Sequence, residues 1–343
     1  MKNTLLTLFV VIIALIAGCA QHKAPASEPT AVTKATDVPE PEVEEYLLRI
    51  QITSEAIANN QLDESPDRTI MVSLPPSYYS SEKHYPVVVH LEGYRMSLSL
   101  NSMYSNLNEQ MLKEGNKEFI VVNIDGLNTF MGSFYTNSPI TGNWEDFIVD
   151  EVLNYVDTNF RTIQSRDSRG IAGFSMGGSG AINISFSNSD TFSCIYAASA
   201  GVFAPDGLKT ALNSWGTTFK KGYGRAFAPV TDNPDRQTYS PMYDGTEKDA
   251  QVILDWESGY GHMPEKISCL LDSPYSLKAI RLDVDPKDTY TWLAEGNLYL
   301  SQLLSENNIE HTYVEHSAGH SLSNDFIDND FVQFFSNNLI FDN

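Results

Sequence analysis

The stretch Ser168-Arg169-Gly170-Ile171-Ala172-Gly173-Phe174-Ser175-Met176-Gly177-Gly178-Ser179-Gly180-Ala181-Ile182 decides the fold. Its first five residues read as a short strand, and its last five are small enough for a helix packed close to a sheet. Between them lies Gly173-Phe174-Ser175-Met176-Gly177, a G-x-S-x-G. A serine on so tight a strand-to-helix turn needs residues without Cβ two places before and after it. The turn lifts the serine oxygen clear of the backbone. It also aims the first free N–H groups of the helix at the same spot, where a developing oxyanion is stabilised. The motif alone is a weak signal; the strand and helix around it make Ser175 the candidate nucleophile.

Working outward, short apolar runs alternate with helix-like stretches from Tyr46 onward, the pattern of an α/β protein with a mostly parallel sheet flanked by helices. The expected strands are residues 68–74, 86–91, 119–124, 168–172, 194–198, 279–283 and 311–316. A helix is expected over 144–160, with Phe147, Ile148, Val152, Tyr155, Val156 and Phe160 on its apolar side. Residues 202–275 break the alternation. They read as an insertion before the acid-bearing strand, expected over the C-terminal strand ends where α/β sheets bind ligands.

A serine is a poor nucleophile without a base, and the base needs a carboxylate to orient it. Behind a G-x-S-x-G elbow these follow in the order Ser, acid, His. Asp285-Pro286-Lys287-Asp288 follows the strand at 279–283 and offers two carboxylates. Ser317-Ala318-Gly319-His320-Ser321 follows the last strand, and His320 is the natural base. His316 belongs to the strand and reads as structural.

At these residues the chain resembles the esterase branch of the α/β-hydrolases, which includes esterase D (S-formylglutathione hydrolase), feruloyl esterases and the mycobacterial mycolyltransferases. The resemblance covers Leu74-Pro75-Pro76-Ser77-Tyr78, Gly132-Ser133-Phe134-Tyr135, Trp144-Glu145, the elbow and Ala318-Gly319-His320-Ser321. It implies the α/β-hydrolase fold and a serine carboxylic-ester hydrolase with an acyl-enzyme intermediate, Ser175 as nucleophile, His320 as base and no cofactor. The family's acid turn usually reads Gly-x-x-Asp, which selects Asp288 and leaves Asp285 in the glycine's place. His90-Leu91-Glu92-Gly93-Tyr94-Arg95 is similar to the Asp-Gly-Leu-Arg loop of the mycolyltransferases, which implies the backbone N–H groups of Tyr94 and Met176 as oxyanion donors. Gly93, Phe134 and Trp144 are candidate substrate-lining residues. The same triad serves acyl transfer to a hydroxyl, and a non-catalytic binding module is the alternative from outside enzymes.

Composition bounds the rest. The 343 residues carry 22 Lys and Arg against 44 Asp and Glu, a net charge of −22. A surface that acidic repels phosphate backbones, so a nucleic-acid partner is not expected; the expected partner is a small-molecule or polysaccharide-linked ester. Residues 1–18 have the layout of a lipoprotein signal peptide, with Lys2 ahead of an apolar run and Ile16-Ala17-Gly18 before Cys19. Cys19 is the expected lipidation site. It would anchor an exported bacterial protein at the cell envelope, at the outer membrane if the source is Gram-negative. Residues 19–45 read as a flexible tether and 46–343 as the esterase domain. Cys194 reads as a buried strand residue and Cys269 as helical, and a disulfide between them is one option. His311, His316 and His320 lack a compact ligand motif, so no metal is expected.

Overall fold

The computed structural model describes residues 46–98, 102–233 and 236–342. The signal peptide, Cys19 and the tether lie outside them. Ten strands occur among these residues: β1 Leu47–Thr53, β2 Asp67–Ser73, β3 Val87–Leu91, β4 Ile120–Ile124, β5 Asn137–Ser138, β6 Gly142–Asn143, β7 Arg169–Phe174, β8 Cys194–Ala198, β9 Ala279–Val284 and β10 Thr312–Glu315. Eight form one sheet in the order β1-β2-β4-β3-β7-β8-β9-β10, and β5 with β6 forms a small antiparallel ribbon. β2 runs antiparallel to β1 and β4, and all other neighbours in the large sheet are parallel. This is the mostly parallel, helix-flanked sheet expected of an α/β-hydrolase.

The central strands are continuous apolar runs because both of their faces are covered. Every residue of β3, β4 and β8 is buried. The period of two divides each strand between two cores. Val87, Val89, Leu91, Ile195 and Ala197 face one core, and Val88, Val121, Cys194 and Tyr196 face the other. The first core is closed by the helices Met176–Ser187, Met263–Asp272 and Thr291–Glu306. The second is closed by Leu107 and Met111 from Ser102–Met111 and by Phe331 and Phe335 from Phe331–Asn338.

The expected helix over 144–160 forms in three pieces. A short turn at Trp144–Asp146 opens into a π-helical stretch, Phe147–Val152, and closes as an α-helix at Leu153–Asn159. The segment expected as an insertion is largely helical, with Gly207–Ser214, Thr217–Phe227, Glu247–Tyr260 and Met263–Asp272 between β8 and β9. Cys269 lies in the last of these. Cys194 is a buried free thiol, so the Cys194–Cys269 bridge is not formed.

Candidate active site

Ser175 stands between β7 and the helix Met176–Ser187 with φ 55° and ψ −113°. An L-residue in that region is strained, and such strain persists only where the surroundings hold it. Here the surroundings are backbone. A Cβ on Gly173 would lie 2.2 Å from the Gly177 carbonyl oxygen, and one on Gly177 would lie 1.9 Å from that of Leu91. The Ser175 N–H donates to the Ala198 carbonyl at 2.9 Å, which ties the elbow to β8.

The imidazole of His320 lies between the serine and an acid. Its Nε2 is 3.0 Å from Ser175 Oγ, and its Nδ1 is 2.8 Å from Asp288 Oδ2. A proton on Nδ1 points at Asp288 and leaves the Nε2 lone pair toward Oγ. The Asp288 side chain is fully buried, and its Oδ1 accepts the Tyr290 N–H at 2.8 Å. Phe174 and Tyr290 flank the imidazole, each with its ring centre 5.0 Å away. Asp285, the other carboxylate of the turn, does not touch the imidazole. Its Oδ1 accepts the Lys287 N–H at 2.7 Å, and its Oδ2 accepts the Gly319 N–H at 2.6 Å.

Tyr94 and Met176 flank the serine from two elements. Met176 opens the helix, so its N–H lies in the first turn, where the helix dipole is positive. The loop carrying Tyr94 is fixed by the Arg95 N–H on the Met131 carbonyl at 2.9 Å and the Met96 N–H on Gly93 at 3.0 Å. Among the described residues neither the Tyr94 nor the Met176 N–H is spent on another acceptor. Beneath this loop Glu92 is buried. Its Oε1 accepts from Asn123 Nδ2 at 2.7 Å, and its backbone carbonyl accepts the Tyr135 hydroxyl at 2.9 Å. Burial pushes the Glu92 carboxyl up to about 7, against the pull of the Asn123 bond. Burial pushes the nearby His90 down to about 4.

Ser175 and His320 open into a cleft of about 470 Å³, walled by Tyr94, Trp215, Phe219, Tyr260 and Trp292. Arg95 also lines it. The three residues expected to line the substrate are elsewhere. Trp144 is fully buried, with Nε1 donating to the Thr141 carbonyl and the Arg68 guanidinium over its ring. Phe134 is buried behind Tyr94 and Phe219. Gly93 is roofed by Met96 and Phe174, which its Cβ would meet at 2.9 and 3.0 Å. The walls that sequence reasoning missed lie in the segment 202–275 and just after Asp288. The aromatics clustered there were the available signal.

The three C-terminal histidines do not converge. His311 Nε2 is 2.7 Å from Ser301 Oγ, and His316 Nδ1 accepts the Ala318 N–H at 3.2 Å. Among the described residues no group of three His, Cys, Asp or Glu is placed to hold a metal.

The family model described as "Putative esterase" matches residues 64–254, more than half of the chain. The chain belongs to this esterase family. An esterase of Mycobacterium tuberculosis is 35% identical over 117 residues, which cover 33% of this chain and 25% of that one. The chain thus matches about a quarter of the length of its curated relative. A ferulic acid esterase structure aligns with a TM-score of 0.59 at 20% identity over 85% of this chain and 97% of the other. The S-formylglutathione hydrolase of Agrobacterium tumefaciens aligns at 0.55 and 17%, over 85% and 95%. Likeness at these identities carries the esterase family's α/β-hydrolase fold.

Proposed function

We propose that the protein hydrolyses carboxylic esters through an acyl-enzyme. The reading rests on one arrangement, the hydrogen-bonded chain from Ser175 through His320 to Asp288 at the floor of an aromatic cleft. His320 takes the Ser175 proton as Oγ attacks the ester carbonyl, then returns it to the departing alkoxide. Asp288 holds the imidazole tautomer and stabilises its charged form. The N–H groups of Tyr94 and Met176 receive the oxyanion, each worth on the order of 3 kcal/mol at the transition state. Water, activated by the same imidazole, then frees the acid. The walls formed by Trp215, Phe219, Tyr260 and Trp292 suit an aromatic or flat apolar group on one side of the ester. Likeness to a ferulic acid esterase favours the same class.

The test is turnover of nitrophenyl esters by the protein and its variants. Ser175→Ala is expected to lower kcat by about a million-fold, and Asp288→Asn by about ten-thousand-fold. Equal turnover by wild type and Ser175→Ala would reject the serine-esterase reading. Addition of an alcohol acceptor, with product analysis, separates hydrolysis from acyl transfer.

A further inference from the structure

We propose that Asp285 is a positioning residue that locks the turn carrying Asp288 to the loop carrying His320, a role that rests on the esterase reading above. Three bonds make the lock. Within the turn, Asp285 Oδ1 accepts the Lys287 N–H at 2.7 Å and its carbonyl accepts the Asp288 N–H at 3.0 Å. Across to the loop, Oδ2 accepts the Gly319 N–H at 2.6 Å, one residue before His320. One carboxylate therefore fixes both neighbours of the Asp288–His320 bond without taking part in it.

Ahead of His320, the backbone of residues 317–319 has little else to hold it. The bonds Ala318 N–H to His316 Nδ1 and Ser321 N–H to the Gly319 carbonyl are internal. Among the described residues, the bond to Asp285 is the one that ties the backbone of residues 317–322 to a distant part of the chain. Leu322 packs on the second core and the His320 ring lies between Phe174 and Tyr290, but Ser317, Ala318 and Gly319 are not packed in this way. Gly319 sits at φ +65° with no atom within 4 Å of where its Cβ would be, and Ser317 and Ala318 are exposed. Asp285 itself is 5% exposed. The two N–H bonds, Lys287 first, hold its carboxyl below the usual carboxylate range, so the group is ionised at neutral pH and both of its oxygens can accept. A glycine here would keep the carbonyl bond to the Asp288 N–H but would offer no side-chain acceptor to Lys287 or Gly319.

The experiment compares wild type with Asp285→Gly, Asp285→Ala and Asp285→Asn in the full chain. It measures kcat and KM on nitrophenyl acetate and the downfield proton resonance of the His320 Nδ1–H. Loss of both acceptors in the Gly and Ala variants is expected to lower kcat on the order of tenfold or more, because a small misplacement of a catalytic group costs that much. KM should stay near wild type, and the resonance should broaden or vanish. Asparagine keeps one acceptor for Gly319 and should recover part of the lost kcat. If Asp285→Gly fails to fold, Asp285→Ala gives the same reading without loosening the backbone. Wild-type kcat with an unmoved resonance in the acceptor-free variants overturns the proposal, and so does a loss of thermal stability with kcat intact. Failure of the esterase reading is seen separately, as equal turnover by wild type and Ser175→Ala, and the resonance still reports on the lock.

Discussion

Gly177 shows how much of the site a single residue can encode. The motif alone predicted that no side chain fits two places after the serine, and the Leu91 carbonyl oxygen lies 1.9 Å from the missing Cβ. Backbone cannot swing aside as a side chain can. Gly177→Ala must therefore push the helix off β3 or tilt the elbow. It is expected to cost about 3 kcal/mol of stability and to lower kcat on the order of a hundredfold. Urea unfolding and nitrophenyl-ester turnover check both, and wild-type values in either would contradict this account of the elbow. Asp285 is the opposite case. The sequence offered it as a rival triad acid, because two carboxylates in one turn look alike until their oxygens are assigned. Its partner, the Gly319 N–H, lies 34 positions away, and no spacing rule reaches that far. Trp144 misled for a related reason: a tryptophan reads the same in a wall and in a core until its Nε1–H finds a carbonyl.

Among elements, the buried parallel strands were the most legible, because a strand covered on both faces must be an apolar run. β1 was missed: its Leu47–Thr53 alternates with Arg49 and Gln51 and reads as ambiguous without its partner β2. The π-helical stretch Phe147–Val152 was hidden because its buried residues Phe147, Ile148 and Val152 would also share one side of an ordinary α-helix. The segment 202–275 gave its position and the helix around Cys269, but not its other three helices. Its turn Trp215-Gly216, between Gly207–Ser214 and Thr217–Phe227, puts the Trp215 ring 4.6 Å from Phe219 and 5.7 Å from Trp292, centre to centre. That turn forms much of one cleft wall. Trp215→Ala should raise KM for an aromatic ester about tenfold and for an acetyl ester much less, since a lost apolar contact in a pocket is worth about 1–3 kcal/mol. The ratio of the two KM values is the measurement. An unchanged ratio would remove this segment from substrate selection.

For the molecule as a whole, which carries a charge of −22, buried titratable groups make stability depend on pH. Most of the acids have no part in the cleft, but Glu92 is inside the fold. Its carboxyl, raised from 4.5 to about 7 by burial, keeps a proton in the native state that the unfolded chain releases. A native state that binds more protons loses stability as pH rises, so Glu92 costs nothing below about pH 4.5. Between 4.5 and 7 it becomes destabilising, by on the order of 3 kcal/mol at the upper end. His90 acts in the opposite direction. Buried and lowered from 6.5 to about 4, it stays neutral in the fold, and stability is regained as pH rises from 4 to 6.5. The two offset one another up to about 6.5, above which only the Glu92 cost still grows. Glu92→Gln keeps an oxygen for Asn123 and removes the titration. It should match wild type in urea unfolding at pH 4.5 and exceed it by on the order of 3 kcal/mol at pH 8. The difference between the two proteins must open between those pH values. A constant difference across them would mean that Glu92 is ionised in the fold throughout, and that the floor under the Tyr94 loop is wetter than its burial implies.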